Sequence, residues 1–270
     1  KIAFEKASII KEGGTVFAIK GVEEVNQTIK DIADQKSAKL QFLGDHFWVE
    51  GTSNKTFSQY IKYNNTKLCL ENLELSLIGD FQAKNAALAI SACHYYANKI
   101  GKDLSEESIR KGLKATSWSG RMEMVSSEPT IILDAAHNPA AVKEMTDSIK
   151  KLFSYSRDIV ILGVMKDKPS GEILKTLSSF ADHFVLVRPN QERSENPERL
   201  KQIMSRHKVS CEVIESVPNA IRKVKQILLS DDIVCITGSI FTVGEAKKYL
   251  KNDPDFKTSL SPSGGIHLNG

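Results

Sequence analysis

From Thr130 to Asn252 the chain alternates short aliphatic runs with amphipathic stretches at a nearly constant interval, and this alternation limits the fold more than any other feature. Runs of four to six β-branched or aliphatic residues, each followed by an apolar i, i+3, i+4 pattern, read as strand, helix, strand, helix. Strands are expected at 130–134, 159–164, 184–188, 209–214 and 233–237, with helices at about 139–152, 171–181, 196–207, 217–229 and 240–250. Parallel strands joined by right-handed crossovers, with helices on both faces of the sheet, satisfy that order. The fold class expected is therefore α/β, with a doubly wound, mainly parallel sheet in the C-terminal domain.

In such sheets ligands bind beyond the carboxyl ends of the strands. The run Ile131-Ile-Leu-Asp134-Ala-Ala-His137-Asn138-Pro139 is the sharpest instance: an apolar strand, three polar side chains, then a proline in the first turn of a helix. Asp134, His137 and Asn138 are placed where a ligand would lie, although Asp134 and Asn138 also suit a helix cap. Two more loops follow strands in the same way. Gly163-Val-Met-Lys-Asp-Lys-Pro169 brings three charges, and Thr237-Gly238-Ser239 opens the last helix, where free N–H groups hold an anion or Ser239 serves as a plain cap.

The N-terminal part is less regular. Lys1 to Lys11 has helical spacing and stops at Gly13-Gly14; Thr15–Ile19 reads as a strand and 22–33 as a helix. Strand-like segments at 39–43 and 46–50 joined through Gly44-Asp45 suggest a hairpin, and 56–63 with 66–70 continue a partly antiparallel β region. A long alanine-rich helix from Phe81 to Ile100 and a shorter one from Ser105 to Ala115 follow, before a linker at 116–120. A chain opening inside an uncapped helix is expected to be cut from a longer protein. Residues 253–270 are expected to form a flexible tail.

A net charge of +4, with Lys and Arg interleaved among acidic residues, argues against a nucleic-acid footprint. No run approaches the ~20 apolar residues that span a bilayer, and no export signal is visible. Cys69, Cys93, Cys211 and Cys235 form no C-x-x-C pair, so free buried thiols in a reducing cytoplasm are expected. No membrane or nucleic-acid partner is expected, and the chain is expected to be a monomer.

Six blocks, in order, resemble the folylpolyglutamate synthase and dihydrofolate synthase family of Mur-type ATP-dependent amide ligases. They are Glu5-Lys6-Ala-Ser8-Ile-Ile-Lys11, Gly79-Asp-Phe81-Gln82-Ala-Lys-Asn85-Ala86, Trp118-Ser119-Gly120-Arg121-Met-Glu123, Leu133 to Pro139, Gly163 to Lys168, and Thr237-Gly238-Ser239-Ile-Phe-Thr-Val-Gly244-Glu245. The family usually has Gly at the place of Ser8, His at that of Phe81 and Pro at that of Ser119. Its phosphate-cradling G-x-x-G-K-[ST] loop is missing from these residues.

The resemblance implies that residues 1–117 are the end of an ATP-binding central domain lacking its P-loop, and 118–252 a Mur ligase-like C-terminal α/β domain. It implies an ATP-dependent carbon–nitrogen ligase adding L-glutamate to folate through an acyl phosphate, with ATP and Mg2+ as cofactors and this chain inactive alone. Arg121 would reach ATP phosphates, Asp134 the ribose hydroxyls and Asn85, with Gln82 as a weaker companion, the adenine. His137 and Asn138 would lie beside nucleotide or glutamate, and Ser239 would face the incoming carboxylate. Lys6 corresponds to a lysine that is carbamoylated in the family and helps to place magnesium. Two alternatives stand beside this reading: a Mur-type peptidoglycan precursor ligase, and a non-catalytic α/β module that binds a nucleotide or a protein partner.

Overall fold

A computed structural model describes residues 2–55 and 58–253. The chain divides into two compact units, Lys1–Thr116 and Ser117–Gly270. The expected tail from Pro254 onward, and residues 56 and 57 of an expected strand, lie outside the described residues.

The first unit begins with helix α1 (Ile2–Ala7), strand β1 (Thr15–Ile19) and helix α2 (Glu23–Gln35), then strands β2 (Lys39–Leu43), β3 (Phe47–Lys55), β4 (Ser58–Asn65) and β5 (Cys69–Leu75). It closes with helices α3 (Asp80–Lys99) and α4 (Glu106–Ala115). Its sheet has the order β1-β2-β3-β4-β5, parallel through the first three strands and antiparallel from β3 to β5. The hairpin expected at Gly44-Asp45 does not form. His46 N and Asp45 N return to the carbonyl of Phe42, and β3 leaves parallel to β2 with the single pairing Leu43 to Phe47. A turn does lie at Gly44-Asp45, but the ladder of antiparallel pairs that a hairpin needs does not follow it.

Phe47, Ile61, Leu73 and Leu75 face Ala83, Ala86, Ala87 and Ile90 of α3 and Leu113 of α4. The alanines let helix and sheet approach closely, which is why a weakly amphipathic helix is stable here. Inside that core the Tyr63 hydroxyl and Ser91 Oγ share a 2.8 Å hydrogen bond, satisfying both buried polar groups.

The second unit starts with β6 (Glu123–Ser127) and β7 (Thr130–Asp134) and continues α5 (Pro139–Leu152), β8 (Arg157–Leu162), α6 (Ser170–Leu177), β9 (His183–Val187), α7 (Pro197–Met204), β10 (Ser210–Ile214), α8 (Val217–Lys225), β11 (Asp232–Thr237) and α9 (Ile240–Asn252). The sheet order is β10-β9-β8-β11-β7-β6. All pairings are parallel except that of β6 with β7. β6 is an addition to the expected set; its sequence, Glu-Met-Val-Ser-Ser, is too polar to register as a buried strand, and it lies at the sheet edge, where burial is not required.

The residues of each strand alternate between two helical layers. Ile131, Leu133, Ile159, Ile161, Val185, Val234 and Ile236 pack on Val217, Ile221 and Val224 of α8 and on Val243, Ala246 and Leu250 of α9. Cys235, one residue out of phase with Val234, instead meets Met145 of α5 at 3.5 Å between sulfurs. Helices α5, α6 and α7 pack side by side on that second face. Each fully buried aliphatic side chain here contributes roughly 1.5–3 kcal/mol. Three helix starts carry a polar cap with a following proline: Asn138 accepts from Ala141 N, Asn196 from Glu198 N and Ser216 from Asn219 N.

The order of strands fixes where a ligand can sit. The chain passes from β7 to β8, moves outward through β9 and β10, and returns to fill the gap between β8 and β7 with β11. The loop after β11 leads to α9 on one face while those after its neighbours β7 and β8 lead to α5 and α6 on the other, the arrangement that leaves a crevice in open α/β sheets. Among the described residues, no helix is long and apolar enough to cross a membrane.

Candidate functional site

At the carboxyl ends of the second unit's strands, hydrogen bonds stitch the loops into one rim. Ala135 N donates to Gly120 O at 2.9 Å, Gly238 N to Ala136 O at 3.1 Å and Gly163 N to Thr237 O at 3.2 Å. Thr242 Oγ1 donates to Gly163 O at 2.7 Å. Two glycines make this closeness possible. A Cβ on Gly163 would stand 2.6 Å from Thr242 Oγ1 and 2.8 Å from the Pro189 ring, and one on Gly238, whose φ is +103°, would stand 2.7 Å from Gly163 O.

The rim encloses a cavity of about 250 Å³ lined by Arg121, His137, Asp167, Lys168, Arg193 and Ser239, among others. Five separate segments contribute: the turn before β6 and the loops after β7, β8, β9 and β11. Three permanent cations and a histidine therefore face one small space. The only carboxylate among the lining residues is that of Asp167, 2.9 Å from Lys168 Nζ and 4.0 Å from Arg193 Nη1. The Lys168 hydrogen bond, with the Arg193 charge beyond it, holds the Asp167 carboxyl below the usual carboxylate range. The Arg121 guanidinium makes no hydrogen bond or ion pair among the described residues. Such a cavity suits an anion with several oxygens, and Asp167 leaves room for one cationic group beside it.

Of the residues expected from sequence, Arg121, His137 and Ser239 meet at this cavity. His137 is half-buried, and its Nδ1 lies 2.9 Å from Ala135 O; since a carbonyl only accepts, Nδ1 carries the proton and Nε2 is left to accept. Ser239 is buried and caps α9. Its Oγ accepts from Thr242 N at 3.1 Å and, because the Thr242 hydroxyl proton goes to Gly163 O, gives its own proton to Thr242 Oγ1 at 2.8 Å. The cap reading of Ser239 thus describes its bonds here. Asn138 likewise caps α5, its Oδ1 accepting from Ala141 N at 2.9 Å, while the residue stays exposed.

Asp134 does not itself line the cavity; it is only 4% exposed, next in sequence to the lining residue Ala135. Oδ1 accepts from Ala136 N and Oδ2 from Met122 N, both at 2.8 Å. It caps no helix; it ties the turn before β6 to the loop after β7. Burial pushes its carboxyl above the ordinary value, against the pull of the two N–H donors and the fields of Arg121 and His137. Each oxygen retains a lone pair for a further donor.

Asn85 and Lys6 belong to the first unit. Asn85 sits in the first turns of α3, exposed, its Nδ2 donating to Gln82 Oε1 at 3.2 Å; Gln82 is buried. Lys6 is exposed on α1. Sequence reasoning missed Arg193. The signal was present: Pro189 to Asn196-Pro197 repeats the strand, polar loop, Asn-Pro helix start already seen at Asp134 to Pro139.

Residues 120–240 match the model of the Mur ligase, glutamate ligase domain. The chain is 30% identical over 252 residues to the dihydrofolate synthase/folylpolyglutamate synthase of Bacillus subtilis, covering 93% of this chain and 58% of that protein. The Escherichia coli protein of the same description is 29% identical, with 92% of this chain and 55% of that one covered. Among solved structures, Mycobacterium tuberculosis folylpolyglutamate synthase complexed with ADP and AMPPCP superposes with a TM-score of 0.85 at 25% identity, over 94% of this chain and 60% of that one. E. coli FolC in complex with DHPP and ADP gives 0.79 at 28% identity, over 96% and 57%. The chain thus spans less than two thirds of each of these relatives. Residues 120–240 thus carry a Mur ligase, glutamate ligase domain, and over the part of those enzymes that it spans the chain is similar to folylpolyglutamate and dihydrofolate synthases.

Proposed function

We propose that this chain supplies the nucleotide- and amino-acid-facing wall of an ATP-dependent ligase that joins L-glutamate to a folate carboxylate through an acyl phosphate. The observation that carries the reading is the gathering of Arg121, Lys168, Arg193 and His137 around one cavity at the switch point of a parallel sheet. Relatives crystallised with ADP, AMPPCP and DHPP support the same reading.

Phosphoryl transfer to a carboxylate asks the protein for positioning and positive charge, since little covalent chemistry is left to side chains. Arg121 meets that need: a fixed guanidinium fork with no partner of its own in the second unit neutralises phosphate oxygens as charge moves toward the leaving nucleotide. Asp134 keeps lone pairs for the ribose hydroxyls. The incoming amino acid carries two carboxylates and one ammonium. Lys168 and Arg193 match the first and Asp167 the second, with Ser239 at a helix N-terminus beside them and Asn138 at the start of α5 as a further candidate. His137, with Nε2 free to accept, holds the attacking amine or takes its proton.

A divalent metal would supply charge neutralisation at the nucleotide phosphates when bound; a related structure holds AMPPNP with manganese. Among the described residues no three His, Cys, Asp or Glu side chains gather as a metal site. Lys6 is exposed on α1, with no acidic or histidine cluster of that kind around it among the described residues. The residues described do not by themselves fit a magnesium site, so no step is derived through one.

The test is incorporation of labelled L-glutamate into a reduced folate, coupled to ADP release, by the protein that carries this chain. Arg121→Ala should lower turnover by about a hundredfold with the fold intact. No incorporation by the unaltered protein, or unchanged kinetics in Arg121→Ala, overturns the reading.

A further inference from the structure

Carboxylates hold the backbone on both sides of Arg121. Gly120 N donates to Glu123 Oε2 and Met122 N to Asp134 Oδ2, each at 2.8 Å. The bonds fix a turn in which Gly120 has φ +68° and Met122, which is not a glycine, has φ +46°. A left-handed methionine persists only where its surroundings dictate the conformation.

Glu123 is itself held from helix α9. Lys247 Nζ donates to Glu123 Oε1 at 2.6 Å and to Ser119 Oγ at 2.9 Å, and Ser119 Oγ donates to Glu123 Oε2 at 3.1 Å. Two residues earlier on the same helix, Glu245 Oε1 accepts from Asn190 N at 2.6 Å, and Asn190 opens the loop that carries Arg193. Positions two apart point to opposite sides of a helix. One side of α9 therefore holds the support of Arg121 and the other the loop of Arg193, while its first residues line the cavity between them.

We propose that Glu123, Lys247 and Glu245 are positioning residues: through them α9 braces the two arginines at a set separation and thereby fixes how tightly the cavity grips an anion. The inference rests on reading the cavity as an anion site. None of the three touches the anion; each acts through an arginine.

Charge alone and positioning predict opposite signs. Removing Glu123 or Glu245 takes a negative charge from the surroundings of the cavity, so a pure field effect would tighten anion binding. Loss of the brace would loosen it.

The experiment is calorimetric titration of the purified chain with inorganic pyrophosphate at low salt. Arg121→Ala is the check on the anion site: no binding by the unaltered chain, or none lost in this variant, overturns that reading. With Arg121 shown to matter, Glu123→Ala and Glu245→Ala should each weaken binding roughly fivefold, and Glu123→Ala should add nothing in an Arg121→Ala background. Lys247→Met should weaken binding similarly and Lys247→Arg restore it, a sign that lost charge alone also gives, so Glu245→Ala is the arm that decides should Glu123→Ala fail to fold. Tighter binding by Glu123→Ala or Glu245→Ala, unchanged binding in Lys247→Met, or an equal further loss in the Arg121→Ala background overturns the brace while leaving the anion site standing.

Discussion

Asp134 Oδ2 and Met122 N are joined by a 2.8 Å hydrogen bond across twelve residues of sequence, and that bond locks the turn of Arg121 onto the end of β7. Its sister bond, from Ala136 N to Oδ1, holds the loop that presents His137. One buried carboxylate thus sets the backbone on which two cavity residues stand.

Asp134→Ala should therefore cost stability as well as function. Two N–H groups lose their acceptor, at about 1–3 kcal/mol each where water does not replace it. Urea unfolding of the second unit should show a loss of about 2–4 kcal/mol, with Asp134→Asn, which keeps one acceptor, falling between. A loss under half a kcal/mol would mean that the loops hold themselves without this side chain.

The legible parts of the chain were those where one periodicity dominates. Val234, Cys235 and Ile236 sit in a strand buried on both faces, where every side chain must be apolar, so β11 could be placed to within a residue. Asn138-Pro139 marked the start of α5 because cap and proline chemistry are local. The helices α6 to α8 end three to four residues before their apolar patterns do, since Ala181, Phe180 and Leu228 go on packing after the hydrogen-bonded turns stop. Lys247 escaped notice for a different reason. What makes it matter is its contact with Ser119 and Glu123, far back in the chain, and no local pattern carries that.

Gly163→Ala gives a prediction about packing alone. The new methyl must displace the Thr242 hydroxyl or the Pro189 ring, both closer than 3 Å to its ideal position. Overpacking of this kind costs about 1–3 kcal/mol. Because the Thr242 hydroxyl also orders Ser239, the substitution should disturb the start of α9, seen as faster amide exchange at residues 239–243. Unaltered exchange there would mean that the strain is absorbed on the Pro189 side.

Ser239→Ala separates capping from ligand contact. Loss of the cap to Thr242 N should cost about 1 kcal/mol of stability. Since the Ser239 proton is already given to Thr242, the Michaelis constant for glutamate should change less than in Arg193→Ala. A larger effect in Ser239→Ala than in Arg193→Ala would mean that the hydroxyl turns to the substrate when it binds.

The last prediction concerns the other end of the sheet. Asp158, at the start of β8, is 6% exposed, and its Oδ1 has no hydrogen-bond partner. Burial, and then the charge of Asp182, raise its carboxyl from 3.8 to about 7, against the Tyr155 hydrogen bond and the field of Lys150. The same contact with Asp158, after burial, pushes the Tyr155 hydroxyl up to about 12. In the unfolded chain the Asp158 carboxyl titrates near its ordinary value, so between about pH 7 and pH 4 the folded state holds a proton that the unfolded state lacks. Its contribution to stability accordingly grows as pH falls through 7 and levels off below 4, where both states are protonated, amounting to about 2–3 kcal/mol between pH 8 and pH 5. Asp158→Asn carries no such proton, so the stability difference between unaltered and variant chains should shift by that amount, in favour of the unaltered chain, as pH falls across this window. Urea midpoints measured at unit pH intervals decide it, and parallel curves for the two proteins would show that Asp158 is ionised in the folded state at neutral pH.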